Sequence, residues 1–156
     1  MKHLLSNLSP HNKQETFEKI MAKLWAKSSN GTELAKLSKT ERPLIISQLI
    51  QDSINGGGIK GFFYNNANSL TNVGLEAFQT IGLLKVYEIF KKAVETFPKQ
   101  PIPDQIEYCR AILEALPDEN ETDEKWDELT DEFYALETYI LDGNLEYAKN
   151  NFSKIE

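Results

Sequence analysis

Three groups of residues in this 156-residue chain have types and spacings that could do chemistry. The first is Gly56, Gly58 and Gly61 in "SINGGGIKGFFYNNANSL", a literal GxGxxG. Such glycines cradle a dinucleotide pyrophosphate where they turn the tip of a strand into the start of a helix. Here the preceding segment, "PLIISQLIQDSI", has a helical apolar period, and no Lys-Ser or Lys-Thr follows Gly61 to build a P-loop. The glycines are therefore expected to permit a tight chain reversal, with Phe62, Phe63 and Tyr64 anchoring it in the core. The alternative is a small-ligand-binding or enzymatic domain that uses a loop from Phe62 to Asn65.

The second group is "DENETDEKWDEL", where Asp118, Asn120 and Thr122 occupy the first, third and fifth places of a calcium loop. The match ends there. Asp123 stands where a glycine must make the turn, and Leu129 where a bidentate glutamate must close the coordination sphere. The third group is His3, His11 and Cys109, the only histidines and the only cysteine. They are too few for an ordinary zinc site, and an acyl-transfer triad lacks a well-placed base. Acid catalysis by paired carboxylates needs one of them in an apolar pocket, whereas the acids of this chain crowd a polar face. The reading is a protein without catalytic residues, cofactor or metal.

The net charge of −7 is unevenly distributed. Lys and Arg outnumber Asp and Glu nine to five over residues 1–60 and four to three over 61–100, but over 101–156 they are outnumbered four to sixteen. A C-terminal third of −12 disfavours direct contact with nucleic acid and favours a basic protein partner. A lone cysteine inside an apolar helical pattern, with no export segment and no run of 18 apolar residues, points to a reducing cytoplasm and no membrane contact.

The elements that must position these groups read as helices throughout. Ser9 and Pro10 suit a helix start, followed by Phe17, Ile20, Met21, Leu24 and Trp25 on one face. A second helix begins near Thr40 with Ile46, Leu49, Ile50 and Ile54 and runs into the glycines; a third spans about Leu70 to Ile81 and stops at Gly82. A fourth carries Leu83, Val86, Tyr87, Phe90, Val94 and Phe97, and a fifth Ile106, Cys109, Ile112, Leu113 and Leu116. A sixth, from about Thr122, shows Trp126, Leu129, Phe133, Leu136 and Ile140, and after "DGN" a last one shows Leu145, Ala148 and Phe152. No period of two is sustained, so the expected fold is an all-α, single-domain bundle of about seven helices. Its expected parts are an N-terminal helix and linker over 1–37, a core over 38–142 and a C-terminal helix over 143–156.

Within that bundle the sixth helix stands out by charge. Asp118, Glu119, Glu121, Asp123, Glu124, Asp127, Glu128, Asp131 and Glu132 face a single base, Lys125, a net −8 in fifteen residues. Glu124, Asp127, Glu128 and Asp131 fall on a stripe away from Trp126, Leu129 and Phe133. Six acids from Asp123 to Glu132, at about 1.5 Å of rise per residue, give about one charge per 2 to 3 Å. Duplex DNA carries about one per 1.7 Å. Four like-charge i,i+4 pairs should each cost the helix about 0.2 to 0.5 kcal/mol, so stability alone does not explain the arrangement. These nine carboxylates are the candidate partner-binding residues.

Gly57-Gly58-Ile59, Phe62-Phe63 with Asn65, "LEAFQTIG" from Leu75 to Gly82 and "DEFYALE" from Asp131 to Glu137 resemble the signatures of a bacterial DNA-mimic-protein-like family, a domain of unknown function. The resemblance covers about residues 38–142; Gly56 and Gly61 depart from it, standing where the family usually has Asn and often has Gln. It implies an all-α domain and, for part of the family, an acidic surface that occupies the DNA-binding face of a regulator, without catalysis. The expected partner is a basic protein such as a DNA-binding regulator, in competition with DNA. An immunity- or antitoxin-like protein that neutralises a basic nuclease would use the same surface.

Overall fold

The computed structural model describes residues 1–152 and, for Ala67 and Asn68, the backbone alone, so the last four positions of the expected C-terminal helix lie outside the described residues. The described chain is all helical: α1 (Lys2–Ser6), α2 (Lys13–Lys27), a 3₁₀ turn (Leu34–Lys36), α3 (Arg42–Ile81), α4 (Leu84–Thr96), α5 (Ile106–Glu114), α6 (Glu121–Tyr134) and α7 (Glu137–Phe152). All elements share one core, with α3 at its centre. α4, α5 and α6 pack on α3 as one group; α1, α2 and α7 pack on one another, and α2 and α7 also reach α3.

Several boundaries differ from those expected. Ser9 and Pro10 do not start a helix: α2 begins at Lys13, and the Ser9 amide donates to Asn12 Oδ1 across a turn (2.7 Å). The unexpected α1 is short and buries Leu5. The expected second and third helices are one helical run of 40 residues. The sixth helix ends at Tyr134 rather than near Ile140, and "DGN" lies inside α7. Gly143 is there for closeness: a Cβ at that position would come 2.5 Å from Leu83 Cδ2.

α3 is continuous but not straight. As a rod it would extend about 60 Å, yet its two arms touch. Asn66 Nδ2 donates to Ser53 Oγ at 2.8 Å, and a Cβ on Gly74 would overlap Ile50 Cδ1. The chain therefore folds back between those arms, as the glycine stretch implied. Gly58 supplies one bend, with φ +66° in the left-handed region. Two backbone groups beside it are met by side chains of α6: the Ile59 amide donates to Thr130 Oγ1 (3.1 Å), and the Ile54 carbonyl accepts from the Tyr134 hydroxyl (3.0 Å). Thr130 in turn donates to the Trp126 carbonyl (2.7 Å). Burial of Ile59, Phe62 and Phe63 keeps the segment helical despite its glycines.

Gly58→Ala should cost about 1 to 2 kcal/mol, because a Cβ disfavours the left-handed conformation while the space beside Thr130 would accept it. Gly57→Ala, where a Cβ meets nothing within 4 Å, should be neutral or stabilising. Urea melts of the two variants check the contrast, and equal midpoints would refute it.

The ends of α3 are fixed by local hydrogen bonds. Ser38 Oγ accepts from the Glu41 amide (3.2 Å) while Glu41 Oε2 accepts from the Ser38 amide (2.8 Å), a reciprocal capping box one turn ahead of Arg42. Glu41 also pairs with Lys27 at 2.6 Å; burial pushes its carboxyl up, but these hydrogen bonds and the Lys27 charge outweigh burial and hold it below its ordinary value. At the other end Gly82, at φ +87°, donates to the Phe78 and Gln79 carbonyls, and Leu83 donates to Phe78 (2.9 Å), the left-handed stop expected there.

Candidate partner-binding face

α6 is held by an apolar seam of Trp126, Leu129, Thr130 and Phe133, at i, i+3, i+4 and i+7. Trp126 is 1% exposed, stacks on Phe63 with ring centres 5.0 Å apart, and donates from Nε1 to the Ala93 carbonyl (3.0 Å). Those contacts tie α6 to α3 and α4 together. At about 100° per residue, Glu124, Glu128 and Asp131 lie most directly opposite the seam, Asp127 on the flank of Tyr134, and Glu132 on the flank of Leu136.

Eight of the nine candidate carboxylates are exposed: Asp118, Glu119, Glu121, Glu124, Asp127, Glu128, Asp131 and Glu132. Among the described residues only Glu128 of the eight meets a base, Lys125 at 3.2 Å. Six of the eight lie on α6 itself, spread along about 17 Å of helix axis, or about one charge per 3 Å. Glu121, Asp123 and Glu124 fall in the first turn, where the helix dipole favours negative charge.

Asp123 is the exception. Its side chain is 23% exposed and turns to α3, where Oδ2 pairs with Lys60 Nζ at 2.6 Å. Asn120 caps the helix by accepting from the Asp123 amide (2.8 Å) and donates from Nδ2 to Asp123 Oδ2 (2.9 Å). Burial pushes the Asp123 carboxyl up, but the hydrogen bonds from Lys60 and Asn120 and the Lys60 charge win and hold it below the ordinary carboxylate value. Asp123 thus orients the start of α6. Lys60 lies 63 residues away in sequence, and no local pattern announced it.

The other sequence motifs end up elsewhere. Gly56, Gly57 and Gly61 have nothing within 4 Å of where a Cβ would sit. The calcium-like segment is helix from Glu121 onward, and among the described residues no three His, Cys, Asp or Glu side chains gather in a metal-binding arrangement. Phe62 to Asn65 is helix, not loop, with Phe62 and Phe63 wholly buried. Tyr64 is partly exposed and donates to Glu114 at 2.8 Å, an acceptor that pushes its hydroxyl up; the Arg110 guanidinium sits 5.0 Å over its ring. The space beside Tyr64 is a cleft of about 340 Å³ open to solvent, lined by Lys60, Leu113, Glu114 and Asp123 among others. Among the described residues no helix is long and apolar enough to cross a membrane.

The model of a family described as DMP19-like protein matches residues 35–151, three quarters of the chain, including all of α3 to α6 and all but the last residue of α7. No curated protein and no solved structure matches the chain.

Proposed function

The chain belongs to the DMP19-like family, and on that premise we propose that it is a non-enzymatic DNA mimic: it binds a basic protein, of the kind that itself binds DNA, through the carboxylates of 118–132. The observation that carries the reading is the set of eight exposed carboxylates of which only one meets a base. A DNA-binding surface is built to neutralise closely spaced phosphates and gains affinity from released counterions. Carboxylates spread along α6 at about one per 3 Å of helix axis offer such a surface charges of the same sign and a similar density. Lysines placed at i+4 would have stabilised the helix and cancelled this field. The partner would then be held from the DNA it normally contacts, and the strength of the hold would fall as salt rises.

The test is affinity capture from the native cell at low salt followed by elution with rising salt, run in parallel with Asp127→Lys/Glu128→Lys/Asp131→Lys. The expected result is a DNA-binding protein that salt releases from the wild type, that the triple variant fails to retain, and that duplex DNA displaces. Equal retention by both proteins, with equal salt dependence, would end the reading.

A further inference from the structure

Next to the acidic ladder, on the flank of Glu132, α4, the end of α6 and the turn after it leave an open groove of about 530 Å³ whose apolar lining is Leu84, Ile89, Ala135 and Leu136. Leu84 is 61% exposed, the most exposed aliphatic side chain among the large hydrophobics that reach solvent in the described chain. Its position is odd for a core residue, since the buried stripe of α4 is Val86, Ile89, Phe90 and Ala93. The two walls differ in charge. The α6 wall presents Glu132 and continues into the carboxylate ladder, whereas the α4 wall carries Lys85 and Lys92 around Glu88, with Lys85 held 5.1 Å over the Tyr139 ring. From Leu84 to Lys92 the groove runs about 12 Å, or about two helical turns.

We propose that this groove takes the apolar stripe of a basic amphipathic helix of the partner, while that helix's cationic edge lies on the α6 carboxylates. The proposal rests on the acidic-partner reading above and adds a contact that DNA does not offer. An even field of charge gives attraction and encounter rate, but it does not fix register; a buried apolar anchor beside it does both jobs of position and selectivity. The charge difference between the walls sets the direction, with the cations toward α6 and away from Lys85 and Lys92. Duplex DNA has no apolar stripe, so the groove separates this protein from the polymer whose charge it imitates.

The probe is a fluorescent synthetic helix of about four turns with a Leu stripe beside a Lys/Arg stripe, and a second peptide of the same charge with Gln in place of Leu. Fluorescence anisotropy against salt gives their affinities. The informative variant is Leu84→Asp, which adds a negative charge at the first position of α4, where the helix dipole welcomes it and no core contact is lost. If charge alone governs binding, Leu84→Asp binds the Leu peptide as well as the wild type or better. With the groove in use it binds at least about tenfold more weakly, while the Gln peptide, weak from the start, is unaffected or slightly tightened. An unchanged or tightened Leu peptide overturns the proposal. Glu128→Lys/Asp131→Lys isolates the underlying reading: it should weaken both peptides and flatten their salt dependence. If it moves neither, or if the wild type binds neither peptide, that reading fails and the groove proposal with it.

Discussion

Trp126→Ala is expected to destabilise the protein by about 3 to 5 kcal/mol, the largest effect of any single truncation in α6. The indole is 1% exposed and stacks on Phe63, whose own ring meets Phe62 and Phe97 at centre distances of 5.2 and 5.4 Å. Removing it opens a cavity at the junction of α3, α4 and α6 and strands the Ala93 carbonyl that accepts from Nε1. Small domains have only about 5 to 15 kcal/mol in hand, so a loss of this size brings the variant close to unfolding at ordinary temperature. Trp126→Phe separates the two causes, because it retains most of the volume and loses the hydrogen bond; about 1 to 3 kcal/mol is expected. Thermal melts of the three proteins give the order wild type, Phe, Ala. An alanine variant as stable as the phenylalanine one would mean that the ring packs far less tightly than its burial indicates.

The second large effect has opposite signs in stability and in binding. Asp127→Asn/Glu128→Gln removes all four of the like-charge i,i+4 pairs, 123/127, 124/128, 127/131 and 128/132, while leaving the apolar seam untouched. The fold should become slightly more stable, by less than about 2 kcal/mol at low salt and by less still when salt screens the surface. Binding to the salt-eluted partner should weaken at least about tenfold, and the slope of log affinity against log salt should become shallower by about two charges. Melting temperature and affinity measured on the same preparations check both halves. A variant that gains stability and keeps full affinity would identify the acidic stripe as no more than a solvated face.

The features written locally were the ones legible in the sequence. Trp126, Leu129 and Phe133 repeat at helical spacing, so the seam of α6 and the carboxylates opposite it follow from period alone, and Gly82 marks a left-handed stop whose neighbours agree. What was not legible depends on distant partners. Gly58 reads as a turn, but the helix runs through it, and the side chains that meet the backbone beside it, Thr130 and Tyr134, come more than 70 residues later. Gly143 resembles a helix stop because "DGN" is turn chemistry, whereas its smallness serves the approach of Leu83. The role of Asp123 was hidden for the same reason, since nothing in the acidic run tells it apart from its neighbours until Lys60 is brought beside it. Leu84 did leave a signal, an aliphatic residue off the stripe of its own helix.

The seam and the carboxylates of α6 occupy opposite sides of one helix, and this has a consequence for divergence. Eight of the nine acids are exposed, and the buried seam that holds α6 is made of other residues. On the proposed reading, substitutions at those eight positions change what is bound while leaving the buried seam of α6 intact. Asp123 lacks that freedom. On the same reading, it is the position at which a change in binding would also loosen the scaffold, through Lys60 and the cap at Asn120.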